Sequence, residues 1–198
     1  MIDEIIKREW DFFQQVQNIG GRASCQDDFE TFYLQRKGQF EIFDDDVRES
    51  YLQDLKDAKE IGRNLVMEKY AFMMESTDPE YFQTIQNQLP VLDSQQKELI
   101  NYICEIEVQM REEFNQQYPH LSSQARYTHS QEDEKDDTSF ETYLRGELST
   151  YSAHTLWLYG KMILQMLENQ ENMIVLIMER TVKAYGYSSL DDAESKII

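Results

Sequence analysis

Apolar residues recur every three or four positions along most of this chain, which is the spacing that places side chains on one face of an α-helix. The first such stripe predicts a helix from about residue 3 to residue 18, ended by Gly20 and Gly21. Its apolar positions are Ile2, Ile6, Trp10, Phe13 and Val16. Strict alternation of apolar and polar residues, the mark of a strand, is never sustained. The pattern therefore predicts an all-α fold.

Similar stripes divide the rest of the chain, and few breakers interrupt them, since the 198 residues include seven Gly and three Pro. Two further helices are expected to begin near residues 27 and 139, and the others to cover about residues 47–75, 78–90, 93–118 and 155–185, with a short closing helix. A polar stretch over residues 119–138 predicts a long loop. Residues 1–198 are thus predicted to form a single domain, a bundle of six to eight helices.

An unusual tetrapeptide, Phe-Glu-Thr followed by an aromatic residue, occurs at residues 29–32 and again 111 positions later at residues 140–143. The same offset aligns Met67-Glu68-Lys69 with Met178-Glu179-Arg180. We therefore expect the bundle to consist of two pseudo-symmetric, duplicated halves. The predicted halves are roughly residues 1–75 and 94–186, linked by residues 76–93.

Each tetrapeptide also has a purely structural interpretation. Thr138 and Glu141 have the spacing of a capping box, and Asp27 and Glu30 form its aspartate variant. In this interpretation each glutamate accepts a hydrogen bond from a free backbone N–H at the helix start, and the aromatic rings pack inward.

The polar segments that precede the two tetrapeptides supply the candidate ligand site. Pseudo-symmetry would bring both segments to one cleft between the halves, where their mixed charges favour a small polar or anionic ligand. Arg36 and Arg145, in the helices that follow, add forked donors for an anion. A network that ties the loops to the helix ends is the structural alternative. The candidate residues are Arg22, Cys25, Asp27, Glu30, Arg36, Arg126, His129, Glu141 and Arg145, with Glu132 in the same segment as His129.

Cys25 is the candidate for a catalytic nucleophile, because a loop position near Arg22 and just before a helix start favours a thiolate. No histidine is close to it in sequence, so a base such as His129 would have to be supplied by the fold. Cys104 lies among apolar helical residues and is interpreted as part of the core. Whether the protein is an enzyme stays open, and the sequence names no cofactor.

Carboxylate pairs recur at the repeat offset, since Asp57 and Glu60 align with Glu168 and Glu171. Acidic pairs on facing helices can hold Mg²⁺. However, Asp57 and Glu60 point away from the apolar stripe of their helix, which favours a solvated face. We therefore predict no metal site.

The formal net charge of -19 excludes two classes of partner, because nucleic acids and anionic membranes are normally bound through clustered Lys and Arg. A basic protein partner and simple solubility both remain compatible with this charge. The acidic N-terminus lacks the basic start and apolar run of a signal peptide, and no stretch reaches the length of a membrane span. The sequence therefore predicts a cytoplasmic protein.

Three strings, "GGRASCQDDFETF", "GRNLVMEKYAFMMEST" and "TSFETYLRGEL", carry a family resemblance. At these positions the chain resembles an uncharacterised bacterial family, the domain of unknown function 4125, over nearly its whole length. The resemblance implies an all-helical bacterial protein and no particular activity, so no residue role is transferred.

Two functions stay open on this sequence. The first is binding of a small polar or anionic ligand in the cleft between the halves. The alternative is an acidic protein-protein interaction module without catalytic activity, which includes a homodimer. A deep cleft that joins the two polar segments would favour the first, and a flat exposed apolar patch would favour the second.

Overall fold

The computed structural model describes residues 1–17, 21–135 and 137–197, and within these residues it contains eleven α-helices and no β-strand. The helices are α1 (Ile2–Phe13), α2 (Phe29–Phe40), α3 (Asp45–Glu60), α4 (Leu65–Thr77), α5 (Pro79–Ile85), α6 (Ser94–Gln117), α7 (Pro119–Ser123), α8 (Phe140–Leu148), α9 (Ala153–Glu168), α10 (Met173–Ala184) and α11 (Leu190–Lys196). The all-α prediction is confirmed. The predicted number of six to eight helices is too low for three reasons.

The first reason is a break between α3 and α4, where one helix was expected over residues 47–75. Gly62 has a φ of 76°, a left-handed conformation that stops the helix. The backbone N–H of Arg63 then donates to the carbonyl of Ala58 at 2.8 Å. Two residues after the glycine, the Asn64 side chain accepts a hydrogen bond from the Met67 N–H and starts α4.

The second reason is a similar break between α9 and α10, within the helix that was expected over residues 155–185. Gln170 takes the left-handed position with a φ of 59°, and the Glu171 N–H donates to the carbonyl of Met166 at 2.9 Å. Asn172 then starts α10 by accepting a hydrogen bond from the Val175 N–H. The third reason is α7, a short helix at the beginning of the predicted 119–138 loop.

The first helix is shorter than its stripe suggests, because α1 ends at Phe13 instead of near residue 18. Asn18 and Gly20, which belong to the predicted end, lie outside the described residues. Within the described residues, no helix is long and apolar enough to cross a membrane.

The packing of the helices interlocks the N-terminal and C-terminal parts of the chain. Helix α1 packs against α2, α3 and α4, and α6 packs against α8, α9 and α10. In addition, α4 lies on α8, and α10 lies on α2. The largest fully buried side chains between these helices include Phe40, Leu55, Ile103, Phe114 and Tyr159.

Two glycines allow the close approach in these crossed contacts. A Cβ at Gly38 in α2 would lie 2.9 Å from Thr181 Oγ1 in α10. A Cβ at Gly146 in α8 would lie 2.8 Å from Met73 Cγ and 2.9 Å from the backbone oxygen of Lys69, both in α4. Since a backbone atom cannot rotate away, α8 has no room for a side chain at Gly146.

We expect Gly146→Ala to lower the free energy of unfolding by about 1–3 kcal/mol, because the new methyl group forces α4 and α8 apart. Urea denaturation followed by circular dichroism measures this change. Gly160→Ala is the matched control in α9, where the nearest atom to the new Cβ is the mobile end of Leu99 at 3.1 Å. A Gly146→Ala protein as stable as the Gly160→Ala protein would contradict the packing argument.

Candidate functional site

The two tetrapeptide helices begin one residue later than the capping boxes predict. Asp28, and not Asp27, accepts a hydrogen bond from the Thr31 N–H at the start of α2. Ser139, and not Thr138, accepts one from the Thr142 N–H at the start of α8. The predicted capping boxes are therefore wrong in register. The prediction that the aromatic rings pack inward is also incomplete, because Phe29 is 47% exposed.

Glu141 was predicted to accept a hydrogen bond from a backbone N–H at the start of its own helix, but it has other partners. Its carboxylate accepts hydrogen bonds from the backbone N–H of Ser130 at 3.0 Å and from Arg145 at 3.4 Å. Burial alone would raise the pKa of Glu141, but the hydrogen bonds from Ser130 and Arg145 lower it. Glu141 thus ties the segment before α8 to the helix itself, while Glu30 is exposed on α2.

The segment before α2 is held against the end of α1. Arg22 donates to the Asp27 carboxylate at 2.8 Å and to the backbone oxygen of Gln26 at 2.7 Å. The buried Gln26 side chain donates to the backbone oxygen of Phe13 at 2.8 Å. Cys25 lies in a 3-10 helix at Ser24–Asp27 and is exposed. These contacts agree with the structural interpretation of the segment, in which a network of hydrogen bonds ties the loop to the end of a helix.

Arg36 lies in the core, where it joins α1, α2 and α8. Its Nε donates to Glu9 at 2.8 Å, and its Nη1 donates to both carboxylate oxygens of Glu147 at 3.2 Å. The buried Tyr51 hydroxyl donates to the same Glu9 carboxylate at 2.8 Å. The guanidinium that the sequence assigned to an external anion therefore binds two carboxylates of the protein.

Lys69 in α4 completes this buried cluster of charges. Its Nζ lies 2.7 Å from the Tyr143 hydroxyl and 3.4 Å from Glu147. Burial alone would raise the pKa of Glu147, but Arg36 and Lys69 lower it to about 2. The carboxylate is thus ionised at neutral pH and paired on two sides, which suits a structural role and leaves no group ready for proton transfer.

Among the predicted site residues, Arg126 lies beside the start of α8. Its guanidinium lies over the Tyr143 ring at 4.9 Å and donates to the carbonyl of Thr138.

A cavity of about 600 Å³ lies between the segment before α8 and the end of α6. Arg126, His129 and Glu132 line it from the segment, and Asn115 and Glu112 line it from α6. His129 Nε2 lies 3.1 Å from the Glu112 carboxylate. The structure thus places Arg126, His129 and Glu132 in one cavity, whereas none of the lining residues comes from the described part of the segment before α2, which was predicted to share the same cleft.

A larger cleft of about 700 Å³ lies between α4, α6 and α8, and α5 and the chain that follows it also line this cleft. Its apolar lining includes Phe72 and Phe82, and its polar lining includes Glu75, Lys97, Asn101 and Arg145. The guanidinium of Arg145 is held in the cleft wall by Asn101 and by the Glu141 carboxylate. Arg145 therefore faces this cleft, whereas Arg126 and His129 line the cavity and Arg36 lies in the core.

Within the described residues, no group of three or more His, Cys, Asp or Glu side chains is placed to hold a metal ion. Asp57, Glu60, Glu168 and Glu171 are all exposed. Cys104 is buried, and burial raises the pKa of its thiol to about 12.

The model of one family, described as Protein of unknown function (DUF4125), matches residues 1–195. The chain belongs to this family. No curated protein and no solved structure matches it. The membership confirms the predicted resemblance and leaves the DUF4125 chain to be interpreted from its own residues.

Sequence reasoning missed the buried ionisable residues of this DUF4125 protein. Glu9 lies on the apolar stripe of α1, and Glu107 and Arg111 lie on that of α6, where each side chain is buried. The Tyr159 hydroxyl donates to Glu107 at 2.8 Å, and burial raises the pKa of Glu107 to about 8. A charged residue at a position where the helical spacing requires an apolar one was the available signal.

Proposed function

We propose that the protein binds a small anionic ligand in the 700 Å³ cleft. The carrying observation is the pair of cations in its polar lining, because Lys97 and Arg145 face the same space in a chain with 38 acidic and 19 basic residues. Arg145 is held by Asn101 and Glu141, so its planar guanidinium is oriented before a ligand arrives. Within the described residues Lys97 forms no ion pair, which leaves its charge for a ligand.

The apolar lining of the cleft limits the ligand further. Phe72 and Phe82 supply aromatic surface, and the segment from Leu89 to Leu92 extends it. A pocket with an apolar wall and a few convergent polar groups is typical of small-molecule sites. The proposed ligand therefore combines a carboxylate or phosphate group, held at Arg145 and Lys97, with a small apolar part.

We also infer that the walls of this cleft come from two copies of one helical unit. Residues in equivalent roles lie 108 positions apart: Gly38 and Gly146 in the crossed contacts, and Gly62 and Gln170 with positive φ. This separation is three residues shorter than the one that aligns the tetrapeptides.

Further support comes from two matched pairs of hydrogen bonds to the first helix of each unit. Asn64 donates to the carbonyl of Phe12 at 2.9 Å, and Asn172 donates to that of Met110 at 2.8 Å. Tyr51 donates to Glu9 and Tyr159 donates to Glu107, both at 2.8 Å.

We expect Arg145→Ala to weaken ligand binding at least tenfold, because it removes charge-assisted hydrogen bonds worth about 1.5–3 kcal/mol. A thermal-shift screen of small aliphatic and aromatic carboxylates and phosphate monoesters identifies a stabiliser, and calorimetry measures its affinity. Arg180→Ala is the control, because Arg180 is exposed on α10. A stabiliser that binds both variants equally, or a screen without any stabiliser, would contradict the proposal.

The alternative function, interaction with another protein, is favoured by one exposed face of α9. Trp157, Leu164 and Leu167 are exposed on this face, and apolar residues grouped on a surface are typical of interaction sites. This face is on α9, whereas the cleft is lined by α4, α6 and α8, so Arg145→Ala tests the cleft without disturbing the alternative.

A further inference from the structure

Arg111 is a buried cation that the structure leaves unpaired. It lies in α6 with 6% of its surface exposed, and its guanidinium carbon is 5.6 Å from the ring centre of Phe114 and 5.7 Å from that of Phe140. Within the described residues its Nε has no hydrogen-bond partner and no carboxylate forms an ion pair with it. The two aromatic rings attract its charge but accept no conventional hydrogen bond.

This arrangement differs from that of the other buried cations in the core. Arg36 binds Glu9 and Glu147, and Lys69 binds Glu147 and Tyr143. Moving a charge out of water is unfavourable unless a partner compensates it. Because acidic residues outnumber basic ones two to one in this chain, a shortage of carboxylates does not explain the unpaired Arg111.

A second unpartnered polar atom lies one helical turn away. Asn115 Oδ1 is buried without a hydrogen-bond partner among the described residues, while Asn115 Nδ2 donates to Thr128 Oγ1 at 2.9 Å. Residues four apart share one face of a helix, so Arg111 and Asn115 face the same segment. Asn115 and Thr128 also line the 600 Å³ cavity, and Arg111 lies one helical turn from Asn115, outside that lining.

We propose that Arg111, Asn115 and Thr128 form a second binding site, which accepts a phosphate group beneath the segment before α8. An oxyanion alone would satisfy Arg111 and would be repelled by the oxygen of Asn115. A phosphate group meets both needs, because at neutral pH inorganic phosphate carries at least one proton to donate to Asn115 Oδ1. Sulfate has the same shape and charge range but no proton to donate, so the site should prefer phosphate. This proposal is independent of the ligand in the cleft.

The test compares phosphate with sulfate on the full chain at pH 7 and constant ionic strength. Thermal shifts and titration calorimetry with inorganic phosphate, glycerol 2-phosphate and sulfate are the measurements. We expect phosphate to raise the melting temperature and to bind at least tenfold more tightly than sulfate. Glycerol 2-phosphate is compared at pH 5.5, because a phosphate monoester has a second pKa of about 6 and carries the required proton mainly below it. Tight binding there would identify the phosphate as part of a larger ligand, and its failure would identify free phosphate. Absence of any phosphate effect, or equal binding of sulfate, would overturn the proposal.

Arg111→Met is the decisive variant, because methionine has a similar length and no charge. Removing an unpaired buried charge should leave the protein as stable as before, or more stable, in phosphate-free buffer. Phosphate binding should fall at least tenfold, whereas Arg145→Ala and Arg180→Met should retain it. Unchanged phosphate binding by Arg111→Met would overturn the proposal.

Two further variants keep the test decisive. Asn115→Leu removes the acceptor, and we expect it to abolish the preference for phosphate over sulfate even if Arg111→Met fails to fold. Asp136 lies outside the described residues, and Asp136→Asn tests whether its carboxylate is the anion that Arg111 binds. If Asp136→Asn lowers the melting temperature and phosphate has no effect on the natural chain, the site is internal and the proposal fails.

Discussion

Arg36→Leu should lower the free energy of unfolding by about 3–5 kcal/mol, because it leaves two buried carboxylates without their main partner. Arg36 donates to Glu9 and Glu147 at once, and the side chains of all three residues are at least nine-tenths buried. Lys69 still pairs with Glu147 in the variant, but Glu9 retains the Tyr51 hydroxyl alone among the contacts described above. Chemical denaturation at pH 7 measures the change.

The control for this prediction is Arg180→Leu, the same substitution at an exposed position where the guanidinium lies 4.0 Å from Glu41. Exposed ion pairs contribute at most about 1 kcal/mol, so the control should change stability little. If both variants lose the same stability, the buried cluster does not hold the helices together as its geometry indicates.

Acid provides a second readout for the same cluster. The pKa of Glu147 is about 2 in the folded protein and near its ordinary value of 4.5 in the unfolded chain. The stabilisation from its pairing is therefore present above pH 4.5 and is lost as the pH falls towards 2. In Arg36→Leu this acid-dependent loss should be smaller, because one of the two cations that lower the pKa is missing.

Glu107→Gln should make the protein more stable than the natural chain at pH 8, whereas Arg36→Leu makes it less stable. Burial raises the pKa of Glu107 from 4.5 to about 8, so between these values the unfolded chain has released the proton that the folded protein keeps. Stability therefore falls as the pH rises through this window, by about 1.4 kcal/mol per pH unit for this group. Glutamine stays neutral and can still accept the hydrogen bond from Tyr159.

Denaturation curves at pH 5 and pH 8 measure this effect as a difference between variant and natural chain. We expect the difference to change by up to about 4 kcal/mol in favour of Glu107→Gln over these three pH units. Glu105→Gln, the same substitution at an exposed position of α6, is the control and should not alter the pH dependence. Parallel stabilities of natural and Glu107→Gln proteins at both pH values would show that Glu107 is ionised in the folded state.

The apolar stripes predict the positions of the helices, because burial of one face is the main contribution to helix stability in a bundle. They do not predict the breaks at residues 61–64 and 169–172, since apolar residues continue on both sides of each break. The first break does have a sequence signal, because Gly62 is followed by Asn64. The second break has Gln170 in the left-handed conformation, which a glutamine does not predict. Asn172 is the one local sign of the second helix start.

The site was less predictable than the fold, because its contacts join residues far apart in the chain. Arg36 and Arg145 each follow a tetrapeptide by a few residues, yet one is enclosed by Glu9 and Glu147 and the other lines a cleft. That difference depends on the register of α2 and α8 against α1 and α6, which no local spacing specifies. The stripe of α6 did contain Arg111, but its lack of a partner is a property of the folded chain.

The crossing of α4 onto α8 and of α10 onto α2 affects how the chain is completed during synthesis. The face of α2 around Gly38 stays uncovered until α10 has left the ribosome. Helix α4 likewise waits for α8. The helices α1 to α4 therefore cannot complete their packing by themselves, and formation of this core follows the emergence of α8 and α10 from the ribosome.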